Sequence, residues 1–192
     1  MAKNQKAKGS RLEYKVRDEL NKAFGTKAFQ RTPGSGAFMG KSNYARNAQL
    51  DEGAKMALGG DIICPEWFRF SVECKNYADY PLYHRMLSSE DRSLDKWINE
   101  TIFDANNFGL TPMVVFQTTY KGTFIAIPDQ FINVVWSCNI NPYLLYKNFI
   151  VFNFDDFIQN AEEFSDYNNH IDGEIVKKYY KLEESSLFSI DI

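Results

Sequence analysis

Gly59-Gly60-Asp61-Ile62-Ile63-Cys64-Pro65-Glu66-Trp67-Phe68-Arg69-Phe70-Ser71-Val72-Glu73-Cys74-Lys75 reads as two short strands joined by a tight connection. The glycine pair marks a turn into the first strand, 61–64, and Pro65-Glu66 turns the chain again. The second strand spans 67–75. Its alternation places Phe68, Phe70, Val72 and Cys74 on one face and Arg69, Ser71, Glu73 and Lys75 on the other. In such a hairpin the ends far from the connection lie together, so Asp61 sits across from Glu73. Glu73 and Lys75 are two apart and project to the same side. Two carboxylates and one ammonium therefore converge at one end of a sheet.

The flanking sequence supplies the rest of the fold. Upstream, Ser10 and Glu13 form a capping-box pattern. Leu12, Val16, Leu20, Ala23 and Phe24 follow at helical spacing, predicting a helix over 11–24 that Gly25 closes. A strand over 27–31 comes next, then Pro33-Gly34-Ser35-Gly36 and a polar insertion, 37–58. Downstream of a polar stretch, Leu94, Trp97, Ile98, Ile102, Ala105 and Phe108 mark an amphipathic helix over 93–108, stopped by Gly109 and Pro112. Strands are expected at 113–117, 124–127 and 149–152, a short helix capped by Asp155, and a helical stretch at 173–181. Strands alternating with helices in this order imply an α/β fold, a mixed central sheet flanked by helices. The expected organisation is a flexible basic N-terminus, 1–9, a core, 10–128, that carries the insertion 37–58, and a C-terminal extension, 129–192.

With 192 residues, 44% of them hydrophobic, the chain can build one well-packed domain. Three widely spaced cysteines argue against a disulfide framework or a zinc cluster and for a reducing, cytoplasmic compartment. No run is long and apolar enough to span a bilayer, and the lysine-rich start is not a signal peptide. His84 and His170 are isolated from each other and from any cysteine pair. The glycine-rich stretch from Gly34 to Ser42 lacks the spacing of a nucleotide-binding loop. Charge is divided unevenly. Residues 1–50 carry eleven basic and three acidic residues, a net +8, which leaves −11 for the remainder of a chain whose total is −3. A basic front half beside an acidic pair suits a nucleic-acid partner, with Arg11, Arg31, Lys41 and Arg46 available for phosphate contacts.

The acidic pair has a specific use. Mg²⁺ takes hard oxygen ligands and keeps several waters, so one or two carboxylates and a backbone carbonyl suffice. Asp61, Glu73 and the Cys74 carbonyl meet that need, with Mn²⁺ able to substitute. Lys75 is placed to hold a nucleophilic water or to stabilise a pentavalent phosphate. The Cys74 side chain points into the core.

Gly60-Asp61 with the apolar Ile62-Ile63, followed by Val72-Glu73-Cys74-Lys75, resembles the PD-(D/E)-x-K nuclease superfamily, with Gly where the family name has Pro. The opening Gly9-Ser10-Arg11-x-Glu13 is similar to that of the archaeal-type Holliday junction resolvases, which implies that Glu13 faces the metal site. Arg31-Thr32-Pro33-Gly34-Ser35 resembles a stretch just upstream of their catalytic Asp, which implies phosphate contacts by Arg31 and Ser35. The resemblance spans about residues 8–128. It implies a restriction-endonuclease-like core with Glu13, Asp61, Glu73 and Lys75 as catalytic residues. It further implies a homodimer that cuts four-way DNA junctions to 5′-phosphate and 3′-hydroxyl ends. Two rival readings share these residues: a nuclease of linear duplex DNA, of restriction or recombination type, and a non-catalytic DNA-binding recombination accessory protein. Composition rich in Phe, Tyr, Asn, Ile and Lys fits a phage-encoded chain in the host cytoplasm. The tail, Glu183-Glu184-Ser185-Ser186-Leu187-Phe188-Ser189-Ile190-Asp191-Ile192, resembles short peptides that dock on sliding clamps or replication proteins, an expected further partner.

Overall fold

One parallel strand pair at the centre of a seven-stranded sheet organises the molecule. A computed structural model describes residues 2–33, 60–77, 91–118 and 121–171, with side chains from residue 10 onward. The chain runs α1 (Ala2–Ala23), β1 (Gln30–Arg31), β2 (Ile62–Ile63), β3 (Phe70–Tyr77), α2 (Arg92–Phe108), β4 (Thr111–Thr118) and β5 (Gly122–Pro128). A 3-10 turn (Asp129–Phe131) leads into α3 (Ile132–Ser137), β6 (Tyr143–Tyr146), β7 (Phe149–Asn153), α4 (Phe154–Gln159) and α5 (Ala161–His170). The strand order is β1-β2-β3-β4-β5-β7-β6. Among the described strands only β3 and β4 are parallel, with Glu73 opposite Val114 and Lys75 opposite Phe116.

Parallel neighbours need a long crossover, and α2 supplies it. Asp91 caps this helix: its Oδ1 accepts from the Ser93 N–H at 2.8 Å and the Leu94 N–H at 3.0 Å. Gly109, at φ 63°, ends it in the left-handed conformation expected of a C-terminal glycine. Leu94, Trp97, Ile98 and Ile102 of α2 cover Val114, Phe116, Ala126 and Val151 on one face of the sheet. The other face carries the larger core. There Leu12, Val16 and Leu20 of α1 meet Val72, Cys74, Met113, Val115, Ile125 and Phe152, together with Phe157 of α4 and Phe164 of α5. Burial on both faces explains why β4 reads as an unbroken apolar run, Met113 to Phe116. This is the expected α/β, restriction-endonuclease-like arrangement, with the β2–β3 hairpin antiparallel as read.

Three expectations change. First, α1 starts at Ala2, so residues 2–9 are helical rather than a flexible terminus and Ser10 is an interior position instead of an N-cap. The Ala, Lys and Gln residues before Gly9 are good helix formers and carry the helix through it. Second, residues 129–171 are not an appendage. β7 pairs with β5, β6 forms the sheet edge, and Phe131, Phe154, Phe157 and Phe164 are fully buried. Third, α4 is capped by Asn153, whose Oδ1 accepts from the Asp155 N–H at 2.9 Å. The insertion 37–58, the stretch 173–181 and the tail 183–192 lie outside the described residues, as do Ser35, Lys41, Arg46 and His84.

Candidate active site

Gly60 begins the site. Its φ of +87° lies in the left-handed region, and a Cβ there would fall 2.6 Å from the Val72 carbonyl oxygen. Only glycine allows this close approach of the chain to β3. The next residue exploits it. The Asp61 N–H donates to the Val72 carbonyl at 2.8 Å, and Asp61 Oδ2 accepts from the Cys74 N–H at 2.8 Å. Asp61 is thus clamped to residues 72 and 74, the two neighbours of Glu73. From the other side the Thr32 N–H donates to the Asp61 carbonyl at 2.9 Å, and Thr32 Oγ1 donates to the Gly60 carbonyl at 3.0 Å. Gly60→Ala is expected to cost about 3 kcal/mol, a Tm fall of about 6–12 °C for a chain of this size. Thermal unfolding followed by circular dichroism checks it; an unchanged Tm would show that the approach to Val72 is not tight.

Glu73 and Lys75 stand on the β3 face that α2 crosses. Lys75 Nζ lies 2.7 Å from Glu73 Oε1 and 3.3 Å from Glu100 Oε2, and Glu100 also meets Lys96 at 3.8 Å. Burial pushes the Glu73 carboxyl up; Lys75 opposes the shift, and Asp104 and Glu100 add to it. Burial pulls the Lys75 ammonium down, but Glu73 and Glu100 outweigh it, so the net shift is upward. Asp104 is pushed up to about 6 by burial and by the Glu100 charge, with Asp61 contributing and Lys75 opposing.

The sign of the resulting pH dependence follows from the upward shift of Asp104. A folded chain that holds a proton the unfolded chain releases loses stability as pH rises, here between about 4 and 6. Asp104→Asn removes that titration. In chelator the variant should melt above wild type at pH 7.5 and together with it near pH 3.5, below the unfolded-state pKa, as read by scanning calorimetry. Equal melting at both pH values would show that the Asp104 charge is not under strain.

Glu13 reaches the same neighbourhood from α1. It is buried, at 7% exposure, and its Oε2 accepts from Arg31 Nε. Arg31 also lies over the Tyr14 ring, 5.2 Å from its centroid. The hydrogen bond it donates to Glu13 is the main reason the Arg31 guanidinium binds its proton more tightly than usual. Cys74 is buried in the core, as expected, and its thiol is pushed well up by burial and then by the charges of Asp61, Glu73 and Glu13. The three carboxylates singled out in the sequence thus all bear on residue 74.

Residues 4–171 match the family described as "Phage putative PDDEXK endonuclease". The chain belongs to this family. Protein D14 of Escherichia phage T5 is 28% identical over 134 residues, which cover 68% of this chain and 74% of that protein. No solved structure matches the chain.

Nucleases of the PDDEXK class generally use divalent metal ions, and the donors here suit one. Asp61 and Glu73 offer hard carboxylate oxygens, and burial and neighbouring carboxylates raise the proton affinity of Glu73 and Asp104. A divalent cation would relieve that excess of negative charge. The side chains do not close into a ready-made cage: among the described residues no group of three or more His, Cys, Asp or Glu is disposed around one ion. Glu13 is taken by Arg31 and Glu73 by Lys75. A hydrated Mg²⁺ needs only one or two carboxylates, so this departure from the expected set leaves the chemistry available.

Two residues of the crossover helix adjoin the candidate site, Glu100 through Lys75 and Asp104 through its charge. In the sequence Glu100 either points toward the site or, the better expectation, lies on a solvated helix face, and Asp104 carries no motif. Lys96, Glu100 and Asp104 do recur every four residues, a charged stripe on one side of α2. Because a β-α-β crossover lays its helix across the strand it leaves, that stripe was the available signal. Arg11 is exposed on α1, and no helix among the described residues is long and apolar enough to cross a membrane.

Proposed function

We propose that this phage PDDEXK protein is a divalent-metal-dependent DNA endonuclease selective for branched DNA, a junction resolvase acting as a homodimer. The observation that carries the reading is the clamp on Asp61. Its hydrogen bonds to residues 72 and 74 hold its carboxylate beside Glu73 at one strand end, with the Lys75 ammonium adjoining. Asp61 and Glu73 would hold Mg²⁺ or Mn²⁺, with the Cys74 carbonyl and Glu13 as further oxygen donors. Such an ion, when bound, lowers the pKa of a water and neutralises charge on phosphoryl oxygens. Lys75 then orients the attacking water and stabilises the extra negative charge as the water oxygen bonds to phosphorus. The bond to the 3′ oxygen breaks, leaving a 5′-phosphate and a 3′-hydroxyl. The buried amide of Cys74 keeps Asp61 from swinging away during this change.

Selectivity for junctions is supported by the contact between Glu13 and Arg31. These residues come from the two stretches that resemble the junction resolvases, and they pair with each other in the fold. A two-fold dimer matches a two-fold substrate. Arg11 and the other basic residues of 1–50 would grip phosphates, so binding should weaken steeply with salt. A second reading, a DNA-binding accessory protein, is favoured by the pairing of each carboxylate with a protein group.

The deciding assay compares a four-way junction with linear duplex of the same sequence, in Mg²⁺, in Mn²⁺ and in chelator. Preferential metal-dependent cutting of the junction supports the proposal. Equal cutting of duplex replaces it with a linear-DNA nuclease. Tight junction binding with no cutting in either metal leaves the accessory protein.

A further inference from the structure

Among the described residues Lys75 has two carboxylate partners, and only one of them belongs to the expected cation-binding pair. Glu73 rises from β3, 2.7 Å from Nζ; Glu100 comes from α2, 3.3 Å away. A carboxylate that turns its charge to a divalent cation loses most of its hold on a neighbouring ammonium, because the cation repels the ammonium. With Glu73 as its sole anchor, the long lysine side chain would be released at the moment its charge is needed. Glu100 is independent of that change. It sits on a helix pinned by Leu94, Trp97, Ile98 and Ile102 and capped at both ends. It is 46% exposed, so its charge needs no cation to remain solvated. Lys96, one turn earlier at 3.8 Å, is itself 71% exposed and adds little to the hold on Glu100.

We propose that Glu100 is a positioning residue for Lys75, holding the ammonium at the reacting phosphate once Glu73 is engaged by a divalent cation. This inference rests on the nuclease reading above. Glu100 touches neither the cation nor the phosphate; it acts through Lys75, and Lys75 changes its main partner from Glu73 to Glu100 as the site is loaded.

Two measurements test it. Cleavage at saturating Mg²⁺ is compared for wild type, Glu100→Ala, Glu100→Asp, Lys96→Ala, Lys75→Ala and the Lys75→Ala/Glu100→Ala double variant. Glu100→Ala should lower kcat about tenfold and leave KM within about twofold, because the lost interaction orients a group rather than binds substrate. Glu100→Asp should recover most of the loss, and Lys96→Ala should cut like wild type. In the Lys75→Ala background, removing Glu100 should change nothing, the mark of two residues acting as a unit. The second measurement needs no turnover: acetylation of Lys75 by acetic anhydride, read by mass spectrometry with and without Ca²⁺. Ca²⁺ should raise labelling about fivefold in Glu100→Ala and less than about twofold in wild type, the scale of one partly exposed ion pair.

The proposal is overturned if wild type cuts DNA and Glu100→Ala cuts equally well. It is overturned too if Glu100→Ala costs as much in the Lys75→Ala background as alone, or if Ca²⁺ frees Lys75 equally in both proteins. Wild type that cuts no DNA in Mg²⁺ or Mn²⁺ removes the nuclease reading instead, and the labelling experiment then still decides whether Glu100 holds Lys75.

Discussion

Asp61→Asn should abolish DNA cleavage, lowering kcat about 10³-fold, the scale on which a single electrostatic contributor to a phosphoryl transition state acts. The substitution separates charge from structure. Asp61 Oδ2 accepts a hydrogen bond from the Cys74 N–H at 2.8 Å, and an Asn carbonyl oxygen can accept the same bond. The Asp61 N–H bond to Val72 is a main-chain bond and survives. The variant should therefore fold, melt within a few degrees of wild type, and bind DNA. What it loses is the formal negative charge that, on the proposed reading, attracts a divalent cation. Metal affinity measured by calorimetry should fall together with kcat. An Asp61→Asn protein that cuts DNA at the wild-type rate would remove Asp61 from the chemistry, and with it the assignment of this strand end as the active site.

Phe164→Ala should destabilise the protein by about 3–5 kcal/mol, the usual cost of removing a fully buried ring and leaving its cavity. Phe164 is 0% exposed on α5. Its ring meets Phe157 at 5.1 Å, Phe152 at 5.6 Å and Phe131 at 6.1 Å. These partners come from α4, β7 and the turn after β5, so one ring ties the last third of the fold to the sheet. A 3–5 kcal/mol loss is a large share of the stability of an ordinary domain. Urea unfolding should show a lower midpoint with an unchanged slope. For the same reason a chain ending at residue 128 should fail to fold, since it lacks two strands and the aromatic cluster. A soluble, cooperatively melting 1–128 fragment would show that residues 129–171 are an appendage after all.

The core of the candidate site was legible because it lies on one hairpin. Alternation put Glu73 and Lys75 on one face of β3 and Phe70, Val72 and Cys74 on the other, and burial follows that division. The amphipathic period of α2 and its glycine stop were equally plain. The α1 boundary was misread because a capping-box pattern also occurs inside helices, where Ser and Glu simply face outward or find other partners. The sheet beyond residue 128 was hard to see because β6 and β7 are short and their value lies in pairing with β5, far back in the chain.

Local order, then, is what the amino-acid sequence determined alone: which stretches alternate, which wind, where glycine must turn the chain, and that an acidic pair stands two residues from a lysine. These depend on neighbours within a few positions. The tertiary structure alone decided which charges meet. Glu100 reaches Lys75 and Asp104 joins the acidic field only because the crossover lays α2 over β3 at one particular rotation. Glu13 finds Arg31 only because α1 packs beside the strand pair that carries Asp61. Contacts between elements are set by sheet register and helix orientation, which sum over the whole core, so no local pattern announces them.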